Sequence, residues 1–345
     1  MHSQLRIPIA CHLIAAGLWL SLAMGATAGA ARANDQVKVS VYQSVSDAGI
    51  YIANDRGYFK TESIDIDLIQ LDAVSSVVTA LASGQVDVAG GAPSAAIYNA
   101  ARQGIGIRIV ADKGSLRPGH GYLGLVIRKG LEGEIKTVRD LRGRKVAWTG
   151  YGSGTTNDVA LDRLLQMASL GESDIQLQNL SFSDSLAALA TGNVDAAYLI
   201  EPLMQSAEQR NIGKILLTGD QIDPDQQVAF LLYGAGFCKQ ADLAERFMRA
   251  YLRGVRDYND AFGKDKNRAE IVDILSRNTN VRKAELYATM VMPGLDPNGT
   301  LNIAGMTRDM AWFFSKGFLK QEVSMPGVVD DAYRENAVKQ LGRYE

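Results

Sequence analysis

The sequence predicts an α/β fold of two similar lobes, each a mostly parallel sheet flanked by helices, joined by two crossing strands. Three observations predict it. A ten-residue segment occurs twice: residues 80–89 read ALASGQVDVA and residues 188–197 read ALATGNVDAA, seven identities at an offset of 108. Strands alternate with helices around both copies, the pattern of a parallel sheet covered on both faces. Two further apolar strands, residues 122–128 and 227–233, stand outside the repeated units.

In chain order, residues 1–33 read as a secretory signal peptide. Arg6 precedes an uncharged run over 9–23, and small residues lead to Ala31-Arg32-Ala33, after which cleavage is expected. The run falls short of the roughly 20 apolar residues that cross a bilayer. Residues 37–42 and 64–68 then alternate as strands before the first copy of the repeat. Pro93 opens a helix over 93–98, and 107–111 closes the first half as a strand. The second half follows suit: strands at 145–148 and 175–180, the second copy, a helix opened by Pro202, and a strand at 214–217. Gly84 and Gly192 stop their helices, and Asp87 and Asp195 are read as structural. Strands 122–128 and 227–233 carry the chain between lobes. Residues 243–252 and 306–318 space apolar side chains as helices that complete the first lobe. The expected division is therefore 34–123 with 234–345 for the first lobe, and 124–233 for the second.

Of 345 residues, 47% are hydrophobic and 21% charged, an ordinary globular composition. Lys and Arg total 36 against 38 Asp and Glu, which argues against a nucleic-acid partner held by its phosphates. Of three histidines and two cysteines, His2, His12 and Cys11 fall in the leader. His120 and Cys238 remain, too few for a His/Cys zinc site or an internal disulfide. Neither metal nor cofactor is expected, and the chain is expected to act as a monomer. His120, with Arg117, is read as a surface loop residue.

Ligands of open α/β sheets bind beyond the carboxyl ends of the strands, where helix N-termini point. Three turns qualify: one with Tyr42, Ser44 and Ser46, one with Gly91, Pro93 and Ser94, and one with Tyr151, Gly152, Ser153, Gly154 and Thr155. Free backbone N–H groups and the positive helix end suit an anion. The hydroxyls equally suit caps of their own helices. The 152–155 turn is the expected anion seat. It lacks the third glycine of a dinucleotide fingerprint, since Asn157 occupies that place. Tyr42, Tyr122, Trp148, Tyr151 and Tyr198 are candidate walls for a flat or apolar ligand body. Glu201, before Pro202, is read either as acceptor for a ligand N–H or as a helix-end or hinge hydrogen-bond group.

Residues 48–53 (AGIYIA) running into 56–59 (RGYF), the 80–89 segment, 138–146 (VRDLRGRKV), 152–155 (GSGT) and 195–202 (DAAYLIEP), in this order after a signal peptide, resemble one family. It is that of the solute-binding subunits of ABC importers for nitrate, aliphatic sulfonates, taurine and thiamine-precursor pyrimidines. The resemblance implies the type II periplasmic binding protein fold and closure of two lobes on a small organic anion, sulfonate or carboxylate. It also implies a membrane permease as partner, a periplasmic location and no enzymatic activity. Two alternatives share the fold: an enzyme like the pyrimidine-precursor synthases, and a receptor partner for ligand sensing. A lone His120 and the signal peptide weigh against the enzyme.

Overall fold

The structure, a computed structural model, describes residues 33–71 and 74–345. The expected leader lies outside the described residues except for Ala33. Among the described residues no helix is long and apolar enough to cross a membrane.

Among the described residues, ten strands form two five-stranded sheets. In chain order they are β1 (Asp35–Val41), β2 (Ile64–Gln70), β3 (Val88–Gly91), β4 (Arg108–Ser115), β5 (Leu123–Arg128), β6 (Lys145–Trp148), β7 (Gln176–Gln178), β8 (Ala196–Ile200), β9 (Gly213–Thr218) and β10 (Gln227–Tyr233). The first sheet runs β2-β1-β3-β10-β4 and the second β7-β6-β8-β5-β9. The order within each is the same, as the repeat predicts. In each sheet one strand, β10 or β5, lies antiparallel to both of its neighbours.

The two apolar strands therefore do not themselves cross. Each is an inner strand of the sheet the chain has just entered, and β10, expected with the second lobe, belongs to the first sheet. Crossing falls to the segments before them. These segments are tied to each other, since the Leu116 N–H donates to the Gln226 carbonyl (2.9 Å) and the Asp225 N–H to the Leu116 carbonyl (2.8 Å).

The repeated aspartates do matching work. Asp87 accepts from the Lys38 N–H at 2.9 Å, and Asp195 accepts from the Lys145 N–H at 3.1 Å. Each fastens the strand after its helix to the neighbouring strand. Gly192 caps the Phe182–Thr191 helix at φ 77, the left-handed conformation that glycine adopts without strain. Ser94, not Pro93, is the N-cap of the Ala95–Arg102 helix, and Pro202 is the N-cap of the Leu203–Gln209 helix.

After β10 the chain is helical. The Ala241–Gly263 helix buries Phe247, Met248, Tyr251, Leu252 and Val255. These side chains join the Ala48–Asp55 helix and β1 in one hydrophobic core. The Ile303–Ser315 helix packs with the Ala95–Arg102 helix in another.

Candidate functional site

A cavity of about 520 Å³ opens between the two sheets. That is a size for a small organic molecule. The first sheet and its turns supply Tyr42, Ser44, Ser46, Gly91 and Lys113, while Phe182, Ile200, Glu201 and Leu203 come from the second. The C-terminal segments add Met290 and Pro293, and Tyr122 closes the crossing side. A second compartment of about 440 Å³ shares Ala92, Phe182, Ile200 and Val228 with the first. Ser94, Ser153, Thr155 and Asn157 line it.

Lys113 is the charged residue that sequence reasoning misses. Its side chain is 2% exposed, and its ammonium lies 2.6 Å from Asp47 and 3.3 Å from the Ser46 hydroxyl. Gly90 makes room for it, because a Cβ there would stand 2.7 Å from the lysine Cε. The other Asp47 oxygen accepts the Tyr42 and Ser44 N–H groups. Asp47 thus fastens both the turn and the lysine. Burial, reinforced by the Asp47 carboxylate, pushes the Tyr42 phenol well above its ordinary pKa.

The expected anion seat is corrected. The N–H groups of Gly152, Gly154 and Thr155 all donate to Asp158, at 2.7, 2.7 and 3.0 Å. The Ser153 N–H donates to the Gly150 carbonyl. A resident carboxylate at the helix start already supplies the negative charge that this end of the dipole favours. Burial nevertheless raises the Asp158 pKa, outweighing those amide bonds. Gly154 also faces the opposite lobe: its carbonyl accepts the Ala95 N–H at 2.9 Å. A Cβ on Gly154 would meet Phe318 at 2.9 Å, and its φ is +68. Gly154→Asp would therefore test packing rather than anion binding.

Glu201 lines the cavity and is buried. One oxygen accepts the Gln205 N–H in the Leu203–Gln209 helix that follows it, and the other the Val291 N–H from the C-terminal part of the chain, both at 3.1 Å. Burial raises its pKa, while those two N–H groups pull the other way. Of the remaining candidates, Tyr42, Ser44, Ser46, Gly91, Ser94, Ser153 and Thr155 line one compartment or the other. Pro93, Gly152 and Gly154 do not. Tyr151 turns away and donates to Glu172 at 2.6 Å. Tyr198 is fully buried and stacks on Trp148 at 4.0 Å, so this aromatic pair is core rather than wall. Phe182, unread in the sequence, supplies an aromatic wall instead. His120 lies outside the lining and donates from Nδ1 to the Met292 carbonyl. Among the described residues no group of three or more His, Cys, Asp or Glu is placed to hold a metal ion.

Two α/β sheets joined by a paired crossing, with a cavity lined from both, define the two-lobed binding-protein class of fold. The chain belongs to the NMT1/THI5-like family, whose profile matches residues 45–260. A curated relative, a protein of Escherichia coli strain K12 named for binding aliphatic sulfonates, is 37% identical over 98 residues, 28% of this chain. The match spans 29% of that relative, less than a third of its length. Among solved structures, the periplasmic aliphatic sulphonate binding protein SsuA from Escherichia coli superposes with a TM-score of 0.69 at 19% identity. That likeness covers 86% of this chain and 92% of the other. The desulfurization enzyme DSZB shares the fold too, with a TM-score of 0.61 at 16% identity over 89% of this chain and all of the other.

Proposed function

We propose that the chain is the solute-binding component of an ABC importer, which captures a small organic acid between its lobes and presents it to a membrane permease. The observation that carries this reading is the cavity, lined from both sheets by apolar walls with a few buried polar groups. A solute touching both sides favours their approach through its differential affinity for the closed state. The relative named for sulfonate binding and the periplasmic structural neighbour support the acid class and a periplasmic site of action. Among the described lining residues the one carboxylate, Glu201, is held by two backbone N–H groups and Lys113 is paired with Asp47, which favours capture over general-base or covalent chemistry.

Calorimetric titration of the purified chain with alkanesulfonates, aromatic and aliphatic carboxylates, nitrate and pyrimidines tests the reading. A one-to-one complex with an organic acid recovered chemically unchanged is the expected result. Loss of the acid with appearance of a product would replace capture by catalysis, the course that the shared fold with DSZB leaves open.

A further inference from the structure

Among the described residues, five helices begin near the cleft, and four of their starts hold a carboxylate. Asp47 precedes the Ala48–Asp55 helix, and Asp158 occupies the start of the Thr156–Met167 helix. Asp184 lies in the first turn of the Phe182–Thr191 helix, and Glu201 accepts the Gln205 N–H of the Leu203–Gln209 helix. The Ala95–Arg102 helix has no acidic residue in its first turn. Its N-cap hydroxyl, Ser94 Oγ, is buried without a hydrogen-bond partner on a residue 2% exposed, and Ser94 lines the smaller compartment. Thr155, joined to Ser94 by a backbone bridge from the other lobe, carries a hydroxyl that is likewise buried and unpartnered. Buried hydroxyls left unbonded are costly, so a ligand acceptor there would be bound with a gain in hydrogen bonding. At the far side, in the larger compartment, Lys113 has three N–H donors, and Asp47 and Ser46 take two. The waist between the two is apolar, formed by Ala92, Phe182, Ile200 and Val228.

From this arrangement we infer that the ligand is a two-ended organic acid: a carboxylate on Ser94 at the acid-free start of the Ala95–Arg102 helix, an apolar or aromatic body through the waist, and an uncharged oxygen acceptor on Lys113. The acceptor end is uncharged because Asp47 already neutralises Lys113 and Glu201 adds negative charge to the same compartment. A second ionised group there would be repelled. This inference rests on the capture reading above and narrows its ligand class.

The test is calorimetry on the full chain with para-acetylbenzoate and the longer para-acetylphenylacetate. The controls are their para-isopropyl counterparts, of the same shape without the carbonyl, and para-methylacetophenone, which lacks the acid. At least one oxo acid is expected to bind tenfold or more tighter than its isopropyl counterpart, and the ketone without an acid to bind weakest. Ser94→Ala should weaken both acids of a pair alike, by threefold or more. Lys113→Met alone strands Asp47 in the core, so the double change Asp47→Asn with Lys113→Met is the working variant, with melting as the folding control. It should abolish the tenfold gap and leave the isopropyl acid within twofold. Equal affinities within each pair, or no effect of Ser94→Ala, would overturn the inference. Binding of alkanesulfonates with silence of both oxo acids would overturn it as well, yet leave capture standing. Turnover of a bound acid would instead remove the capture reading.

Discussion

Asp309 is 1% exposed in the Ile303–Ser315 helix and lies in the field of Asp223 from the second crossing segment. Gln226 reaches one of its oxygens at 3.5 Å, and Arg308 and Arg163 supply the neighbouring positive charge. Burial, then Asp223, push its pKa up to about 7. The folded chain therefore keeps a proton that the unfolded chain releases near its ordinary value of about 4. A raised carboxyl favours the folded state on the acid side, so this stabilisation declines as pH rises from about 4 to about 7 and stays lost above. Asp309→Asn is expected to raise stability at pH 8 by on the order of 2 kcal/mol, with the gain vanishing near pH 4. Urea unfolding at both pH values measures this, and a gain of equal size at both would refute the account. At the same scale, the site is only partly legible in the sequence. Ser44-x-x-Asp47 and Thr155-x-x-Asp158 are capping patterns in plain view, and the acid at the fourth place is what closes those turns to an anion. Lys113 gives no such signal. It follows an apolar run in sequence like any solvated lysine, although β4 continues through it, and its partner Asp47 sits on another strand's turn.

The Ala48–Asp55 and Ala241–Gly263 helices cross through glycines. A Cβ on Gly254 would come 2.2 Å from the Gly49 carbonyl oxygen, and one on Gly49 would come 2.6 Å from Val255. Neither obstacle on the Gly254 side is a flexible side-chain end, because backbone atoms of Gly49 and Ala53 are the nearest. Gly254→Ala should thus force the helices apart despite the better helix propensity of alanine, costing roughly 2 kcal/mol or more. Thermal unfolding followed by circular dichroism checks it, and an unchanged or higher midpoint would show that the crossing yields easily. The helices themselves are legible from apolar spacing. Their extents are less so: the run expected over 243–252 continues to Gly263, and the one expected from 306 begins at Ile303. Tertiary contact, rather than local pattern, extends them.

At the scale of the whole molecule, the repeat foretells two sheets of matching strand order, because duplicated sequence folds to duplicated topology. It does not foretell the placing of β5 and β10. An apolar strand announces burial on both faces but carries no mark of its partners or direction. The lobes meet directly at the Ala95–Gly154 hydrogen bond, beside the cleft and far along the chain from the paired crossing segments. Loss of that contact on opening, with rotation about the crossing, is the expected motion of the free protein. Small-angle scattering should show a smaller radius of gyration with a saturating bound acid than without it. An unchanged radius with a ligand proven to bind would count against hinged closure.

The position of β10 also fixes an order of events when the chain acquires its shape. β3 and β4 are neighbours in sequence but not in the sheet, since β10 fills the place between them. Until residues 227–233 arrive, both strands present open edges to the gap, and every strand of the second sheet precedes that arrival. The second sheet contains a continuous stretch of chain and needs nothing from beyond residue 218 for its own strands to pair. Such long-range closure is slow, because the intervening loop must be brought together before contacts reward it. The first lobe is therefore the late and exposed one, and its vacant slot is where a stray strand from another copy would add.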